Sequence, residues 1–69
     1  MQDERLARII DIDARIRALQ SDMLDLTQRA SAATGIAAEE RIAQQIEDIE
    51  TQLQGLKDLR ATLADKAET

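Results

Sequence analysis

Side-chain catalysis needs a nucleophile, a proton shuttle or a metal ligand, and this sequence limits all three. It contains no Cys and no His, so it lacks thiolate chemistry, imidazole ligands and the side chain that titrates near neutral pH. What remains are carboxylates, Arg, Lys and a few hydroxyls. Two acidic clusters have the composition of a hard-cation or acid/base site: Asp11 with Asp13, and Glu47 with Asp48 and Glu50. On a helix, positions so close in sequence point in different directions and do not converge on one atom. They read as solvated faces with local ion pairs, and there is no glycine-rich phosphate loop. No catalytic residue, metal ligand or cofactor site is expected, and the chain is not expected to be an enzyme.

Recognition is the chemistry left over. The formal net charge is −5, which opposes phosphate binding because nucleic-acid affinity rests mainly on clustered Lys and Arg. The sequence has no Phe, Trp or Tyr and so offers no base-stacking platform. No nucleic-acid partner is expected. The charge is also uneven. Residues 1–35 hold five Arg against six acids, whereas residues 36–69 hold four basic groups against eight acids. Glu40, Glu47, Asp58 and Asp65 fall along one outward row of the second half. Such a row is either a plain solvated face or a surface attracted to a basic protein, such as one that itself binds nucleic acid.

The elements that position these groups follow from periodicity. "RIIDIDARIRAL" at 8–19 alternates apolar and charged residues from Ile10, as a half-buried strand would. A heptad test decides against the strand. Ile9, Ile12, Ile16, Leu19, Met23, Leu26, Ala30 and Ala33 follow an unbroken 3-4 spacing, the signature of a helix seam. Acid-to-base pairs at i,i+4 support the helix: Glu4 with Arg8, Asp11 with Arg15, Asp13 with Arg17, and Asp25 with Arg29. The second half repeats the theme with Ile42, Ile46, Ile49, Leu53, Leu56, Leu59, Leu63 and Ala67. A strict heptad would instead put Arg60 in that seam, so a phase slip toward Leu59 is expected near the end. Gly55 lies mid-helix, at a cost of roughly 1 kcal/mol relative to Ala.

"AATGIAAEE" separates the halves. Gly35 suits the left-handed residue after a helix, and Ile36 the apolar residue that packs back on its end. Glu39 and Glu40 then favour the next helix N-terminus. The expected fold is all-α: one domain over 1–69, with a first helix at about 3–33, a turn at about 34–36 and a second helix at about 37–66. So short a connection makes an antiparallel αα-hairpin, each arm roughly 45 Å long. "ADKAET" at the end has few apolar residues and is expected to fray. Ala30, Ala33 and Ala38 permit close helix approach near the turn.

A lone hairpin leaves both seams half open to water, while ordering its backbone costs roughly 1 to 2 kcal/mol per residue. A homodimer closing into a four-helix bundle is therefore expected, its core being Ile9, Ile12, Ile16, Leu19, Met23 and Leu26 with Ile42, Ile46, Ile49, Leu53, Leu56 and Leu63. Ordering on a larger partner is the alternative. Leu6, Ile10 and Leu24 remain on a second stripe, with Arg17 between them. Either a wide bundle face absorbs Leu6 and Ile10, or the four residues form a partner-binding surface. No apolar run reaches membrane-spanning length, and the N-terminus lacks signal-peptide character. A soluble, cytoplasmic protein with no membrane partner is expected.

The plan as a whole resembles two families. Plasmid copy-number regulators, whose helical hairpins dimerise and bind paired RNA loops, share the hairpin length and the "ATGIAAEE"-type turn. The chain lacks the basic face and the aromatic residue they use, so their RNA function is not expected. In size, acidic charge and hairpin plan along the whole chain, it also resembles small phage-encoded inhibitors of host regulators, in particular the quorum-sensing anti-activators. That resemblance implies binding to the DNA-binding part of a LuxR-type activator and to a type IV pilus assembly ATPase, in the host bacterial cytoplasm. A structural or assembly coiled-coil protein of a phage particle or other complex is the alternative.

Overall fold

The computed structural model describes the backbone of residues 2–68 and the side chains of residues 4–65. Two helices account for nearly all of it: α1 spans Gln2–Ala32 and α2 spans Ile36–Glu68. The sequence contains no proline, and helix formers populate both arms, so nothing interrupts either run. α2 reaches Glu68, inside the segment expected to fray. The helices lie against each other in a rod of 52 × 14 × 12 Å. Its radius of gyration is 15.8 Å, against about 11 Å for a compact globule of this length. Among the described residues, no helix is long and apolar enough to cross a membrane.

The reversal is tighter than the sequence suggested. α1 closes with Ala33 N–H donating to the Ala30 carbonyl at 3.4 Å, a narrowed last turn. Gly35 follows with φ +105°, the left-handed region that glycine enters without a Cβ clash. Its carbonyl accepts from Glu39 N–H at 3.1 Å, the first bond of α2. Gly35 therefore opens α2 as well as ending the turn. Ile36, expected to fold back on α1, is instead the first residue of α2 and is exposed. The reversal starts α2 at once and leaves no spare residue to fold back. Glu39 lies in the first turn, where the macrodipole favours an anion.

The helical period holds throughout. Ile12, Ile16 and Leu26 are buried. Ile9, Leu19, Met23, Ile42, Ile46, Ile49, Leu53, Leu56 and Leu63 are half-buried. The twelve residues expected in the core are thus each buried or half-buried, and none is fully enclosed. Near the turn Ala33 and Ala38 are half-buried, but Ala30 is exposed. The side chain of Ala67 lies outside the described residues. The expected slip toward Leu59 does not occur: Leu59 is exposed, and Arg60 reaches across to α1 from the seam position.

Candidate functional site

The surface residues are placed by the seam. With Ile12, Ile16 and Leu26 turned toward α2, a rotation of about 100° per residue carries Leu6, Ile10, Arg17 and Leu24 to one flank of α1. These four fall within about 40° of one another and run along roughly 27 Å of helix. Leu6, Ile10 and Leu24 are 57%, 59% and 65% exposed, and Arg17 is exposed as well. The hairpin leaves this whole stripe in water. Scattered single apolar residues on a surface need no explanation; here three large ones and an Arg share one line.

Asp13 sits on the same flank between Ile10 and Arg17. Its predicted partner was Arg17, but it pairs instead with Arg60 of α2. Arg60 Nε donates to Asp13 Oδ1 at 2.6 Å and Nη2 donates to Oδ2 at 3.4 Å. The fork geometry suits a planar guanidinium facing a carboxylate. The hydrogen bond to Asp13, then its charge, hold the Arg60 pKa above its ordinary value against a smaller opposing effect of desolvation. Two of the four expected i,i+4 pairs form: Arg15 with Asp11 at 3.5 Å and Arg29 with Asp25 at 3.1 Å. Both are well exposed and add little stability.

The acidic clusters stay spread along the rod. Asp11 and Asp13 turn to different bases, Arg15 and Arg60. Asp48 accepts from Gln44, and Asp58 accepts from Gln54 at 2.9 Å. Glu40, Glu47, Asp58 and Asp65 are all exposed. Among the described residues, no three acids stand close enough to hold a metal ion. The hydroxyls of Thr27, Ser31, Thr51 and Thr62 each donate to the carbonyl one turn back, which ties them to the helix backbone.

On the other flank of the seam runs a shallow, largely apolar groove that sequence reasoning did not single out. Ala18, Leu19, Gln52, Gly55 and Leu56 line its middle, a space of about 480 Å³ with Arg15 at its edge. It continues toward the free end over Ile12, Leu59 and Leu63. The signal in the sequence was the pair of small residues Ala18 and Gly55 together with the exposed Leu59. No family model, curated protein or solved structure matches the chain.

Proposed function

We propose that this chain is a non-enzymatic protein-binding regulator, a helical hairpin that dimerises into a four-helix bundle and docks on a host protein to block its activity. The observation that carries this reading is the exposed line of Leu6, Ile10, Arg17 and Leu24. Apolar area with an embedded Arg is the composition of interface cores. The net charge of −5 favours approach to a basic partner surface. The DNA-binding part of a LuxR-type activator has that chemistry, and it is the partner implied by the resemblance to phage anti-activators. A type IV pilus assembly ATPase is the second partner on the same ground.

The test uses the purified DNA-binding domain of such an activator, its operator DNA, and the Ile10→Glu/Leu24→Glu double variant. The wild-type hairpin is expected to displace the operator, whereas the double variant, still helical by circular dichroism, is expected to leave it bound. Equal displacement by both would remove the stripe from the interface, and no displacement by either would remove this partner. The 52 × 14 × 12 Å rod favours a second reading, a spacer or assembly piece of a larger particle. Open-ended association on sizing, in place of a discrete dimer, would mark that role.

A further inference from the structure

The accessible surface of the chain is 5456 Å². A compact monomer of 7.7 kDa exposes about 4300 Å². The excess of roughly 1100 Å² is of the size that one partner contributes to a stable interface, about 800 Å². Only a long side of the 52 × 14 × 12 Å rod is large enough to remove so much at once. The groove side carries a continuous apolar floor of Leu19, Leu56, Leu59 and Leu63, narrowed at mid-length to Ala18 and Gly55. A Cβ added at Gly55 would meet nothing within 4 Å, so the glycine, costly in a helix interior, has no reason inside the hairpin itself.

We propose that a second copy of this chain covers the groove, laid with its turn at the opposite end and with the two-fold axis crossing at Ala18 and Gly55. This rests on the dimeric reading above and adds the face and the direction. The small residues lie near the middle of the rod, since α1 is centred on residue 17. A two-fold axis there sets each against its own counterpart, and the backbones can approach closely. The direction follows from charge. Along this flank Arg8, Asp11 and Arg15 belong to the free end, and Asp22, Asp25 and Arg29 to the turn end. Turns at opposite ends set the net-basic free-end group against the net-acidic turn-end group of the second copy, which includes Asp48. Arg15 then meets Asp22, while Asp11 falls near Asp25 and Arg8 near Arg29, whereas turns together would place the two acidic ends against each other. The Leu6, Ile10, Arg17 and Leu24 stripe stays on the outer surface of the bundle, free for another protein.

The absence of native cysteine makes the test direct. Sedimentation of the full chain is expected to give a dimer. On mild oxidation Ala18→Cys is expected to become a covalent dimer, whereas Ile10→Cys and Thr34→Cys remain reduced. Leu59→Lys is expected to weaken association by about tenfold or more, and Leu24→Lys to leave it unchanged. A dimer that cross-links through Ile10→Cys, or that Leu24→Lys weakens and Leu59→Lys does not, overturns the choice of face alone. Efficient cross-linking through Thr34→Cys overturns the direction. A monomer at all concentrations overturns the dimeric reading and this inference with it.

Discussion

Arg60 occupies a position that the heptad of α2 reserves for an apolar side chain, and from it donates to Asp13 of α1 at 2.6 Å. The residues stand 47 apart in sequence, so this contact fixes the register of one helix against the other. Both side chains keep partial access to water, 45% and 30%, which spares the pair the full desolvation cost of a buried bridge. Its role is alignment more than stability. Leu seams slide past one another at little cost, whereas a fork-shaped cation finds its carboxylate at one register only.

Reversing either charge alone is therefore expected to lower the thermal midpoint, because Asp13→Arg or Arg60→Asp sets like charges against each other. The Asp13→Arg/Arg60→Asp double variant recovers most of the loss, which a double-mutant cycle by thermal melting would show. Arg60→Leu alone extends the apolar seam but strips Asp13 of its partner and is expected to lower the midpoint, whereas replacing both, Asp13→Leu with Arg60→Leu, is expected to recover that loss. No alkaline loss is expected from this contact. With its pKa raised, Arg60 contributes fully below the ordinary Arg range, and the contribution fades only above the raised value.

Ile10 and Ile12 test the helical period at two nearly adjacent positions. Ile12 is 6% exposed and Ile10 is 59% exposed. Ile12→Ala should cost about 2 to 4 kcal/mol, a large share of what so small a core supplies. Ile10→Ala should stay within about 0.5 kcal/mol. Urea denaturation followed by circular dichroism separates the two, and equal losses would mean that Ile10 is covered.

The seam was legible because its signal is repeated: each apolar residue is confirmed by others three or four positions away, so single exceptions cannot hide it. Two features were not legible, for a shared reason. Asp13 has a base four positions ahead, Arg17, and one across the hairpin, Arg60, and only the packed register decides between them. Leu59 and Arg60 likewise compete for one place, and the register that brings Arg60 to Asp13 leaves Leu59 outside. The turn differed by a single residue: Gly35 takes the positive φ expected of it, yet it caps the second helix, and that exposes Ile36. Local chemistry chose the glycine, while the helix that follows decided its use.

Gly35→Ala tests that turn. An L side chain at φ +105° is strained although space is open around it. The expected cost is about 1 to 2 kcal/mol, read as a lower midpoint in thermal melting with helical content retained. A neutral result would mean that the chain reverses through another backbone path.

Gly55→Ala is the informative contrast, because its sign depends on what covers the groove. In an isolated hairpin the added methyl meets open space and relieves a helix interior of glycine, a gain of about 1 kcal/mol. In a bundle with its axis at Ala18 and Gly55, the same methyl lies where two backbones approach, and it loosens their packing. Melting across a range of protein concentrations separates the effects, since an associating protein melts higher as concentration rises. The wild type should show that rise. Gly55→Ala should melt higher than wild type where both are dilute and lower where both are concentrated, so that the two curves cross. A uniform gain at every concentration would place Gly55 outside the dimer contact, and a flat wild-type curve would dissolve the bundle altogether.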